Sequence, residues 1–153
     1  MDERSGLLRE ADQAYAGLRQ AIEGLSDADM RQPWLGTWGV REIVIHVAGW
    51  HREMIPALAR VGRGEPPYPA DVSYDDADAW NARFVAARDG LKPADALAEL
   101  DASHRDYVAA AAALGGPHLA PGGAARDLFD GCGAAHYREH AAQIRAWRQA
   151  EGR

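Results

Sequence analysis

The chain has a single cysteine, no excess of basic residues, and no apolar run near the roughly 18 residues that a helical membrane span needs. Each shortage excludes something. Cys132 has no partner for an intramolecular disulfide, which accords with a reducing compartment. The lack of a long apolar run argues against membrane insertion. Met1-Asp2-Glu3-Arg4 leads into an amphipathic segment instead of a basic patch and an apolar core, so no secretory signal is expected and the expected location is cytoplasmic. Seventeen Lys and Arg against 23 Asp and Glu give a net charge of -6, with a pI near 5.4. General attraction to phosphate backbones is therefore not expected, and no nucleic-acid partner is predicted. Period-two alternation, internal repeats and low-complexity linkers are also missing.

What is present is helical periodicity. At 153 residues, 47% hydrophobic and 26% charged, the sequence fits one domain spanning 1–153 with a real core. Leu7, Ala11, Tyr15, Leu18, Ile22 and Leu25 draw one helical stripe, and Ser26 with Asp29 reads as a capping box closed by Pro33. A bend containing Trp34 and Trp38 precedes a helix capped by Thr37 or Gly39, with Glu42 in its first turn. Its stripe runs Ile43, Val44, Val47, Trp50, Met54, Leu58 and Val61, and Pro56 is expected to bend it or end its regular part.

Gly62 to Pro69 is a loop by composition. Ser73 with Asp76 is expected to cap a helix burying Ala77, Trp80, Phe84 and Ala87. Pro93 opens the next helix, with Leu97, Leu100, His104, Val108, Ala111 and Leu114 on one face. A final helix is predicted from about Ala125 to Ala150, with Leu128, Cys132, His136, His140, Ile144 and Trp147 on one side and a start weakened by Gly131 and Gly133. The fold class is all-α: an antiparallel four-helix bundle with an extra short helix in the long middle connection.

His136 and His140 lie four residues apart, about 40° from eclipsed on a helix, so their imidazoles can converge on one ion. Chemistry at such a site usually needs a third protein ligand and an open position. His46 lies between Ile43 and Trp50 on an apolar stripe and is the candidate third ligand. Spacing alone leaves two readings open, a metal triad or ordinary core histidines. His104 is either a satisfied core histidine or a group behind the site, and Asn81 either orients a substrate or is solvated. The spacing puts His51 about 140° from His46, on the surface, and Tyr137 away from the ligands. Cys132 is a pocket-lining thiol or a small buried apolar group. Trp50, Trp80 and Trp147 are core, or the wall of an apolar pocket.

Trp38-Gly39-Val40-Arg41-Glu42-Ile43-Val44-Ile45-His46-Val47-Ala48-Gly49-Trp50 resembles the segment that opens helix two in the DinB/YfiT-like superfamily. His136-Tyr137-Arg138-Glu139-His140, with Trp147 soon after, is similar to the second half of that signature in its ClbS/DfsB branch, as is Asp78-Ala79-Trp80-Asn81 to the branch's middle segment. Gly39 replaces the usual serine cap. The resemblance implies a four-helix bundle, commonly a homodimer, with His46, His136 and His140 as ligands of a divalent metal, Zn or Ni. It also implies two functions. One is a metal-dependent transferase or hydrolase that activates a low-molecular-weight thiol or water against a small electrophilic substrate. The other is a self-resistance or stress protein that sequesters a hydrophobic toxin without turnover.

Overall fold

The pairing of side chains across the long helices sets the architecture. The computed structural model describes residues 2–153. Its elements are α1 (Glu3–Ile22), α2 (Asp27–Arg31), α3 (Val40–Gly62), α4 (Ala77–Ala86), α5 (Pro93–Ala112), α6 (Gly116–Leu119), α7 (Arg126–Gly131) and α8 (Ala134–Glu151). Among the described residues there is no strand, only an isolated bridge between Leu35 and Trp38, and no helix long and apolar enough to cross a membrane. The expected all-α bundle forms from α1, α3, α5 and α8, with α4 in the middle connection.

Helix directions follow from the contacts. Arg4 reaches the Ala112 carbonyl, Asp12 meets His104, and Arg19 meets Asp101, so α1 and α5 are antiparallel. His46 meets His140, and His51 meets Tyr137, so α3 and α8 are antiparallel too. Arg138 binds Glu10 and Arg148 binds the Ala21 carbonyl, which makes α1 and α8 a parallel pair. His51 with Ser103 and Arg52 with Asp106 do the same for α3 and α5. A parallel pair needs a return crossing between its members. That is why the connection from α3 to α5 is long enough to hold α4.

Local chemistry explains most helix ends. Asp2 caps α1 through Ser5, and Ser26 and Asp29 form the expected reciprocal box on α2. Gly39 caps α3, and its N–H donates to Glu42 at 2.8 Å. A Cβ at Gly39 would lie inside contact distance of the Gln32 carbonyl, so the serine usual in the resembling sequences does not fit this chain. Arg41 fastens the start of α3 to the approach to α5, donating to the carbonyls of Leu91 and Arg88 and pairing with Glu42.

Several expectations change. Helix α1 stops at Ile22, not near Leu25. Helix α3 continues past Pro56 to Gly62, so the missing donor neither ends nor shortens it. Asp76, not Ser73, caps α4, and no residue of α4 is buried; Trp80 and Phe84 are half-covered while Ala77 and Ala87 are exposed. The last helix is two, because the chain breaks at Cys132-Gly133. There the backbone approaches the Phe129 carbonyl more closely than any Cβ would allow.

Candidate metal centre

His46 stands in the second turn of α3, whose start is fixed by the Gly39 cap, and His136 stands in the first turn of α8 just beyond Gly133. Those two helix starts set the site. The ring nitrogens of His46, His136 and His140 lie within 4.8 Å of one another. Nε2 of His136 is 3.2 Å from Nε2 of His46 and 2.9 Å from Nε2 of His140. Nitrogens bound at about 2.05 Å to one tetrahedral zinc stand about 3.3 Å apart, so the spacing fits a shared ion.

The far side of each ring fixes which nitrogen has a free lone pair. His46 Nδ1 lies 2.5 Å from the Ile43 carbonyl, which only accepts, so that nitrogen carries the proton and Nε2 is bare. His140 Nδ1 lies 2.8 Å from Gln143 Oε1, which sets the same tautomer. His136 Nδ1 is buried with no protein partner. Two bare Nε2 atoms therefore face a third at hydrogen-bond distance, and one proton on His136 can satisfy only one of them. A cation at their meeting point satisfies all three.

The electrostatics favour neutral rings. Burial, then the neighbouring His136 and His140, hold His46 well below the usual histidine value. Burial and His140 push His136 down to about 3, and burial lowers His140 against the opposing Gln143 hydrogen bond. All three lone pairs are available at neutral pH. The indole of Trp38 packs on His46 with ring centroids 4.8 Å apart. The donor set is all imidazole nitrogen, which suits Zn, Ni, Cu or Fe.

Burial corrects the expectation for His51, which is wholly buried and not on the surface. Tyr137 points away from the three candidate ligands, as expected; its hydroxyl lies 2.6 Å from His51 Nε2 and 2.7 Å from His104 Nδ1. The other nitrogen of His104 meets Asp12 at 2.9 Å. Asn81 accepts from the Trp50 indole at 2.6 Å. Cys132 sits in the break before α8 and packs with the cluster around Tyr107 and Phe129, where burial raises its thiol to about 11. The three tryptophans divide: Trp147 stacks on Trp34, whereas Trp50 and Trp80 join Phe84 and Tyr74 beside α4. Gln143 is a site residue that sequence reasoning missed, although its position three residues after His140 was a usable signal.

A separate cleft of about 360 Å3 lies between α3, α4 and α5 and includes none of the three histidines. Ile45, Ala48, Gly49, Phe84, Ala102 and Ser103 are among its walls. A Cβ on Gly49 would overlap the Phe84 ring, so glycine there admits the aromatic side chain.

The sequence profile of the DinB superfamily matches residues 10–144, and the chain belongs to that superfamily. No protein with a curated description matches it by sequence. Solved structures share the fold. The colibactin self-resistance protein ClbS, crystallised in complex with a dsDNA, is 14% identical with a TM-score of 0.80 over 92% of both chains. DfsB, described as a sibling lethal factor precursor, is 19% identical with a TM-score of 0.80 over 99% of this chain and 98% of its own. An uncharacterised protein from Escherichia coli UTI89 is 16% identical with a TM-score of 0.79, over 97% and 94%. The ClbS complex overturns the exclusion of nucleic acid drawn from charge. A net charge of -6 sums the whole chain and does not decide what one part of the surface accepts.

Proposed function

We propose that this member of the DinB superfamily is a metal-dependent enzyme, with His46, His136 and His140 holding a divalent ion, Zn or Ni. The reaction is attack by a low-molecular-weight thiol or a water on a small electrophilic organic substrate, as a transferase or a hydrolase. The observation that carries this reading is the convergence of three Nε2 atoms, two of them with tautomers fixed from behind by Ile43 and Gln143. When bound, the ion supplies charge that lowers the pKa of a thiol or water and polarises a substrate oxygen. The chain's own residues do the rest. Ile43 and Gln143 hold the rings in register, burial keeps them unprotonated, and Trp38 covers one flank of His46. The working unit in this reading is a single domain, 1–153, acting in the cytoplasm as a homodimer.

A second reading has one observation in its favour. The α3–α4–α5 cleft is apart from the histidines, and its lining mixes Ile45, Ala48, Phe84 and Ala102 with Arg52, Glu53, Arg88 and Glu99, which suits a hydrophobic molecule with polar edges held there without turnover. ClbS is itself described as a self-resistance protein. One experiment separates the two. Untagged protein is analysed for bound metal, then incubated with a panel of electrophiles with and without low-molecular-weight thiol and metal, and the products are read by mass spectrometry. Metal- and thiol- or water-dependent product formation supports the enzyme. Thermal stabilisation by the compounds with no product supports sequestration.

A further inference from the structure

The cleft between α3, α4 and α5 carries unequal charge at its two ends. Along α3 its wall runs from Ile45 to Glu53, about 12 Å at roughly 1.5 Å per residue. Between them Ala48 and Gly49, with Ala102 on α5, have no side chain beyond Cβ, which leaves room for a chamber of about 360 Å3. That is the size of a small-molecule site. Phe84, seated in the notch at Gly49, closes the α4 side.

Four charged side chains line the chamber, and three have a partner of opposite sign. Arg88 pairs with Glu99 at 3.0 Å, both of them on the wall. Arg52 pairs with Asp106 at 2.7 Å. Each of those pairs is neutral in sum. Glu53 is half-buried and, among the described residues, enters no ion pair; its Oε1 accepts from the Tyr74 hydroxyl at 2.7 Å. Tyr74 lines the neighbouring groove with Pro56 and Tyr68 and is not part of the cleft wall, so that donor comes from outside the chamber. Burial, then the bond to Glu53, push the Tyr74 phenol far above its usual value. Tyr74 therefore keeps its proton, and a neutral hydroxyl orients the carboxylate without cancelling its charge. Oε2 meets no protein donor among the described residues. The wall is left with one negative charge that no cation opposes, at the Glu53 end.

We propose that the cleft binds a small hydrophobic amine in its protonated form, the ammonium donating to Glu53 and the apolar body lying along Ile45, Ala48 and Ala102 against Phe84. The assignment rests on the second reading above, in which the cleft holds a molecule without turnover, and it names the class of that molecule. An anion meets Glu53 while both arginines are already engaged by carboxylates. A neutral apolar molecule strips water from Glu53 and returns no hydrogen bond, which is costly for a charged group. A protonated amine supplies the missing charge and the missing donor together.

Three probes on one carbon skeleton test the charge: 4-phenylbutylamine, 4-phenylbutan-1-ol and 4-phenylbutanoate, titrated by calorimetry into the full chain at about pH 7.5, where the first is a cation and the last an anion. The amine should bind roughly tenfold more tightly than the alcohol, the size of one hydrogen bond to a charged group, and the carboxylate more weakly than either. On the labelled chain the amine should shift the amide signals of Ala48, Gly49 and Ala102. Glu53→Gln removes the charge and keeps an acceptor for Tyr74. In that variant the amine should fall to the affinity of the alcohol while the alcohol binds as before, which shows the chamber intact. Equal binding of amine and alcohol by the natural chain, or an amine preference that survives Glu53→Gln, overturns the amine assignment and leaves the sequestration reading standing. No binding by any of the three, or shifts confined to residues outside the cleft, overturns both.

Discussion

Nε2 of His136 and Nε2 of His140 stand 2.9 Å apart, one turn along α8, with the second ring held from behind by Gln143. The proposed metal site makes this pair its core. His136→Ala or His46→Ala should therefore take bound metal from one ion per chain to none in elemental analysis. Full occupancy in either variant would end the metal reading.

Gln143 offers a graded version of that test. Gln143→Ala leaves all three candidate ligands in place but frees the His140 ring, and metal affinity should fall roughly 10–100-fold in a competition titration with a chromophoric chelator. An unchanged affinity would make Gln143 a bystander.

Stability should depend on pH through the buried histidines. His46, His51, His104, His136 and His140 all have folded values lowered by burial, with His136 at about 3. Below the ordinary value of about 6.5 the unfolded chain binds protons that the folded chain does not. Stability is thus fully present above about pH 6.5 and is lost as pH falls toward 3. Carboxylates contribute below about pH 5, so a melting temperature of metal-free protein that already declines between about pH 6.5 and 5 marks the histidines. A flat profile over that interval would contradict their burial as neutral rings.

Gly39→Ser inverts an ordinary helix rule. Serine is the better N-cap on propensity, but its Cβ would collide with the Gln32 carbonyl. The variant should unfold at a lower temperature, by about 1–3 kcal/mol of stability, the range for overpacking. A gain would show that the turn before α3 yields easily.

Tyr137→Phe removes the only hydroxyl between two buried imidazoles. Chemical denaturation should show a loss of about 1–3 kcal/mol, the cost of stranded buried polar groups, with m unchanged.

The convergence of His46, His136 and His140 was legible because their faces follow the helical period. His51 was not, for a physical reason. Ile43 to Ala48 are all buried, so α3 is covered around most of its circumference and a residue 140° from His46 meets α5, not solvent. The partners of Tyr137 were hidden for a related reason: α8 contacts α1 on one side and α3 on another, and a single stripe per helix describes neither contact fully. The break at Gly133 was foreshadowed by two glycines, but its need for close approach to the Phe129 carbonyl is visible only in three dimensions. Net charge failed as a guide to partners because it has no spatial content.

Helix α4 buries no side chain; Phe84 in the notch at Gly49, the Trp50–Asn81 hydrogen bond, the Trp50–Trp80 contact and half-buried Val85 hold it to the bundle near the cleft. The wall it gives the cleft is therefore separable from the bundle. Changing its exposed positions would reshape that chamber while the four long helices kept their packing.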